Sequence, residues 1–289
     1  WNGSGWESLG TGVNGEITAI AVSGSEVYVG GDFTEAGGRT ANNVAKWNGA
    51  EWKPLGNGVT NPRGTTPVRS LAVRGSTVFV GGVFSQAGGM STDRVAKWDG
   101  ESWEPLDAPS ISSVDAIETT KNSLYIGGIL GDSSTRRGIL RWNGEAWESL
   151  GDGVSTSYPF PIVEAIEVRE SDIFVGGSFT RAGTEPAINI ATWNGSDWAD
   201  LVDGVNGGAN ERINVTASQG GDVYVGGHFT EIGHIRANHI AKWNGSSWEK
   251  LGQGLNGAVQ AIAIDGANVY VGGDFTKAGD QIVNHVAMW

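Results

Sequence analysis

Six tandem units of about 48 residues, a two-residue alternation of apolar side chains within each unit, and a recurrent Asn-Gly turn predict an all-β fold. The architecture they imply is a six-bladed β-propeller with four antiparallel strands per blade. Twelve of the 13 tryptophans form pairs five apart, from Trp1/Trp6 to Trp243/Trp248, and Trp289 opens a seventh pair. The units start at residues 1, 47, 98, 142, 193 and 243, and the whole chain, 1–289, reads as one domain.

The first unit shows each element in turn. Ile17–Val22 alternates apolar and small residues and reads as strand a. Ser23-Gly24-Ser25 turns the chain into strand b, Val27-Tyr28-Val29, which ends at Gly30-Gly31. A longer loop runs from Asp32 to Asn42, and Val44–Trp47 is strand c. Asn48-Gly49 is a strong two-residue hairpin signal and leads into strand d, Glu51–Leu55. With that turn at the tip, Trp47 faces Ala50, and the small Ala45 faces Trp52. The same arrangement repeats along the chain and points to packing between blades rather than to sugar-stacking platforms. The double glycines mark backbone crowding at the end of strand b. The Phe that follows in five units (Phe33, Phe84, Phe179, Phe229, Phe275) reads as a core plug, with Leu130 in its place in the third. The chain starts in a strand d (Trp6–Leu9) and ends in a strand c (Val286–Trp289), so the N-terminal strand is expected to complete the last blade and close the ring. Trp1 and Trp289 compete for one repeat position, which suggests a part of a larger chain or assembly.

Composition narrows the function. There is no Cys among 289 residues, which removes disulfides, thiolate metal sites and Cys nucleophiles. A net charge of −13 argues against nucleic acid and anionic membrane surfaces as partners. No apolar run approaches the ~18 residues of a membrane-spanning helix. The four histidines lack metal-ligand spacing, and no Asp-rich calcium loop occurs, so no metal or cofactor is expected.

The run Val27-Tyr-Val-Gly-Gly-Asp-Phe-Thr-Glu-Ala-Gly-Gly38, followed by Asn42-Asn-Val-Ala-Lys-Trp-Asn-Gly49 and Trp52-Lys-Pro-Leu-Gly56, resembles the kelch-type β-propeller repeat. It is more specifically similar to repeats of secreted or surface-anchored bacterial proteins and of fungal cortical polarity-marker ectodomains. The resemblance spans the chain and implies an extracellular or cell-surface location.

In such a blade the a–b and c–d turns share one face, and the b–c and d–a loops share the other. Length variation is confined to the second set, which makes that face the expected binding surface. The d–a loop is extended at Thr60–Pro67, Ser155–Pro161 and Asn206–Arg212, and these stretches nominate Arg63, Tyr158, Phe160 and Arg212. The second residue of strand a is polar in every unit: Thr18, Arg69, Asp115, Glu164, Asn214 and Gln260. A ring of such positions would border the axial channel, and Arg69, Asp115, Glu164, Asn214 and Gln260 join the candidate ligand contacts. The expected function is a non-enzymatic binding or structural module with a protein or glycan partner at the cell surface. A lectin with repeated inter-blade sites is the alternative. A glycan hydrolase or lyase centred on Asp115 and Glu164 is the second alternative, because paired carboxylates can cleave glycosides. No catalytic residue is assigned.

Overall fold

A computed structural model describes residues 4–62, 64, 68–109, 111–130, 137–156, 160–201, 205–206 and 212–289. The fold is all-β, with no helix among the described residues. By its internal contacts the chain forms two compact units. The first comprises Trp1–Ile126, Leu130–Asp132 and Trp142–Trp147, and the second comprises Gly127–Ile129, Ser133–Arg141 and Glu148–Trp289.

Five sheets have four strands each, in the order a-b-c-d. In the first, these are Glu16–Ser23, Glu26–Asp32, Val44–Trp47 and Trp52–Pro54. The last sheet has three strands, Val259–Asp265, Asn268–Gly273 and Val286–Met288. Residues 6–9, expected as its fourth strand, form no strand, and Trp6 is 77% exposed. The segment is anchored instead on the first sheet. There the Leu9 carbonyl accepts the Trp52 indole N–H at 2.7 Å, and Gly10 lies on the Trp47 ring.

The c–d hairpin differs from its expected register. Trp47 pairs directly with Trp52, and Ala45 with Pro54, so small residues do not face the second indoles. The cause is the asparagine side chain. Asn48 Oδ1 accepts the N–H groups of Ala50 and Glu51, and this builds a four-residue turn in which only Gly49 has positive φ. Asp99 does the same in the second repeat, where the N–H groups of Ser102 and then Glu101 hold its carboxyl below the usual range. The paired indoles meet at 5.3–5.7 Å between ring centres, tilted by 50–58°.

Successive repeats within each compact unit interlock in two ways. The indole of strand d donates to the leucine carbonyl that ended the preceding strand d: Trp103 to Leu55, Trp198 to Leu150 and Trp248 to Leu201, each at 2.8 Å. In every repeat but the last, the first glycine of the pair lies under the next strand a. A Cβ on Gly81 would collide with Val114 and stand 2.8 Å from Ile117 Cδ1, and Gly30, Gly176 and Gly226 meet Val68, Ile213 and Val259 in the same way. The second glycine passes its own strand a so closely that a Cβ on Gly31 would strike the Glu16 carbonyl. The five plug phenylalanines are at most 2% exposed, and burying each such ring is worth about 1.5–3 kcal/mol.

The b–c loop is not irregular. It folds into a short hairpin, Glu35–Ala36 with Arg39–Thr40 in the first repeat and Gln86–Ala87 with Met90–Ser91 in the second. In the second repeat this hairpin also pairs with Val59–Thr60, the d–a segment before it. The loops expected to share a face are therefore hydrogen-bonded into one miniature sheet.

Candidate functional site

The polar second residue of strand a has a structural origin that its sequence position hides. The a–b register slips between Ile17 and Ala19, Val68 and Ser70, Val163 and Ala165, Ile213 and Val215, and Val259 and Ala261. Thr18, Arg69, Glu164, Asn214 and Gln260 are thus the extra residues of β-bulges. A bulge re-aims a side chain away from the ladder and bends the strand.

These side chains reach the neighbouring repeat and engage it. In the first compact unit the Thr18 hydroxyl donates to the Val68 carbonyl, and Arg69 pairs with Asp115 at 2.5 Å. Asp115 also accepts the Ser113 hydroxyl at 2.7 Å. In the second, Arg212 pairs with Glu164 at 3.3 Å. Asn214 donates to the Val259 carbonyl at 2.9 Å and to Gln260 Oε1 at 3.0 Å, and Gln260 donates to Asp274 at 2.9 Å. Most of the expected ligand contacts are therefore used as ties from repeat to repeat. Asp115 and Glu164 each form an ion pair with an arginine. Phe160 is 40% exposed. Arg63 and Tyr158 lie outside the described residues.

Two of the four histidines weighed in the sequence as metal ligands, His228 and His239, lie near the second tie. Burial, and then the charge of Arg212, depresses the pKa of His228, with a smaller contribution from His239 and an opposing one from Asp274. Burial also lowers that of His239, partly offset by the Gly227 carbonyl beside its Nδ1. No group of three or more His, Asp or Glu able to hold a metal occurs among the described residues. Among the described residues no helix is long and apolar enough to cross a membrane.

A groove of about 560 Å³ opens in the first compact unit, lined wholly by b–c and d–a loop residues. Asn61, Ser85, Ser91, Asp93, Arg94 and Asp107 are among its polar residues. Asn61 and Pro62 lie in the first extended d–a loop, which the sequence had marked. The available signal was Asp107, which replaces the glycine found after the strand d leucine at Gly10, Gly56, Gly151 and Gly252.

No protein-family model matches the chain, and no curated protein does. Its fold is similar to that of the computationally designed Ika8 protein, at 16% identity and a TM-score of 0.51, covering 91% of this chain and 82% of that one. It is also similar to the propeller protein YCF48, solved bound to D1 peptide, at 14% identity and a TM-score of 0.54, covering 93% of this chain and 80% of that one. These likenesses extend to fold alone: an all-β chain of four-stranded antiparallel sheets with a propeller among its structural neighbours.

Proposed function

We propose that this chain is a non-enzymatic binding module of an extracellular or cell-surface protein, with its ligand on the face formed by the b–c and d–a loops. The finer fold reading belongs to the same proposal: a kelch-like propeller of six blades, with Trp6–Leu9 as the strand that completes the last blade and closes the ring. The vacant outer edge of the last sheet and the resemblance of the repeats support it.

One observation carries the binding reading. Variation in length and side chain is concentrated in the loops of that face, where the polar groove opens, while the a–b and c–d turns are short and nearly uniform. The surface location rests on the repeat likeness. A glycan is the partner class favoured by the hydroxyl, amide and carboxylate lining. A polypeptide is the competing class, because the propeller YCF48 has been solved with a bound peptide.

The experiment is a glycan-array and peptide-library screen of the purified chain, followed by hydrogen-exchange mapping with the best binder. Protection of the b–c and d–a loops is the expected outcome. Protection confined to the c–d turns at Asn48–Glu51 and their counterparts overturns the face assignment.

A further inference from the structure

Repeats two and three depart from the pattern together, and the groove lies where they do. Elsewhere strand d is followed in sequence by a Leu-x-x-Gly-Val/Leu segment: Leu9–Val13, Leu55–Val59, Leu150–Val154, Leu201–Val205 and Leu251–Leu255. In three repeats this segment is seen crossing the residues that lead into strand c. The Val59 N–H donates to the Asn42 carbonyl at 3.1 Å, Val154 to Arg137 at 2.9 Å and Leu255 to Asn238 at 3.0 Å. Gly58, Gly153 and Gly254 pass so close that a Cβ on any of them would run into Asn42, Arg137 or Asn238.

After Leu106 that segment is missing, and the chain reads Asp107-Ala108-Pro109. The b–c loop of the third repeat, its pairing partner by position, is two residues shorter than its counterparts. Asp93 occupies the position of Asn42 and Asn238. Among the described residues no backbone N–H reaches its carbonyl, and neither its carboxylate nor that of Asp107 has a hydrogen bond or ion pair. By repeat position the paired deletion removes the covering segment, and among the described residues none crosses Asp93. The Trp147 indole N–H, whose counterparts find a leucine carbonyl, is buried without a partner in the same altered repeat.

We propose that this groove is a saccharide-binding site, with Asp93 and Asp107 accepting hydroxyl protons and the Arg94 guanidinium donating to sugar oxygens. This deepens the reading of the loop face and rests on it. The ligand must donate to two unpaired carboxylates and accept from one guanidinium, and hydroxyl pairs on a sugar ring do both. Two carboxylates against one guanidinium disfavour acidic sugars and phosphates. A peptide strand would need pockets for apolar side chains, and among the described lining residues Pro62 and Val83 are the apolar ones. The volume suits a ligand of one to a few sugar rings, within the usual range of about 300–1,000 Å³ for such pockets. Arg94 is held in place by its Nε–H to the Ser112 carbonyl at 2.8 Å. Its positive φ of 63° is shared by Asn43, Asn189 and His239 at the same repeat position, so the backbone pose is general and the guanidinium is local.

The test uses the whole chain, a glycan array and calorimetric titration of the best saccharide. The variants Asp93→Asn and Asp107→Gly restore the residues that the repeat carries at Asn42 and Gly56, so the fold is preserved, and unchanged melting temperatures verify that. Binding of one saccharide per chain, weakened at least about tenfold by each variant, is the expected result. Saccharide binding untouched by both variants overturns the site. Peptide binding on the loop face with no saccharide bound overturns the ligand class while the loop-face reading stands. A ligand mapped to the c–d turns defeats that reading as well.

Discussion

Adding one methyl group at equivalent glycines separates crowding between repeats from every other role of the double glycine. In Gly81→Ala the new Cβ would overlap Val114, 0% exposed, approach Ile117 Cδ1 to 2.8 Å and sit 2.9 Å from Ser70 Oγ. Gly81 has no positive φ, so the backbone itself is not strained by a side chain. Alanine gains about 0.4–1 kcal/mol by restricting the unfolded chain. Overpacking a filled interface costs about 1–3 kcal/mol, so the clash dominates. At roughly 2–4 °C per kcal/mol, melting followed by far-UV circular dichroism should fall by several degrees. The same change at Gly272 meets nothing nearer than Ala261 Cβ and the His285 carbonyl, both at 3.9 Å. A closed ring would cover that glycine and demand the same loss as at Gly81. A silent Gly272→Ala therefore sinks ring closure while leaving the crowding argument intact. A silent Gly81→Ala refutes the crowding argument itself.

Further outcomes are expected elsewhere. Burial raises the pKa of Glu167 despite its 2.5 Å bond from the Ser218 hydroxyl, so the folded chain binds a proton that the unfolded chain releases, and stability falls as pH rises above the ordinary carboxylate range. Glu167→Gln should stabilise the protein in neutral-pH melts, and the gain should vanish in acid; no gain at neutral pH refutes this. His239 is held neutral by burial, so its contribution is present above its unfolded pKa and is lost as pH falls below about 6.5. His239→Asn, the residue found at Asn43 and Asn189, should lessen the loss of stability on mild acidification, and an unchanged pH–stability curve counts against this. Trp103→Phe removes the bond to the Leu55 carbonyl and part of a buried indole, and should cost about 1–3 kcal/mol in chemical denaturation. Arg69→Met breaks the 2.5 Å tie but leaves the partly exposed Asp115 hydrogen-bonded to Ser113, so a loss of about 1 kcal/mol or less is expected, and loss of folding would show a larger role.

What could be read from the sequence was whatever repeats six times. The strand order, the tryptophan pairs and the phenylalanine plugs are legible because one period carries them all. The hairpin register was not, because Asn48 acts through its side-chain oxygen, and the spacing from Trp47 to Trp52 fits a two-residue turn equally well. The polar residue of strand a was visible, but its bulge was not: a one-residue slip leaves no mark in an apolar alternation that already tolerates Thr18 or Asn214. Arg69, Glu164 and Gln260 read as a polar lining, and the contact each makes with a neighbouring repeat was not legible. The groove was the hardest to see. Asp107 and the short loop of the third repeat lie well apart along the chain, and only the pairing of d–a segments with b–c hairpins reveals that one deletion compensates the other.

The indole-to-carbonyl link has a consequence for how such a chain can evolve. Where the link is made, the copy brings both halves, a tryptophan N–H directed at the copy before it and a leucine carbonyl offered to the copy after it; Trp147 is the exception. A whole repeat duplicated or deleted in frame therefore leaves no unmatched group at the new junction. Recombination between copies is selected on the number of repeats alone, and loop sequences are free to diverge while the junctions remain interchangeable.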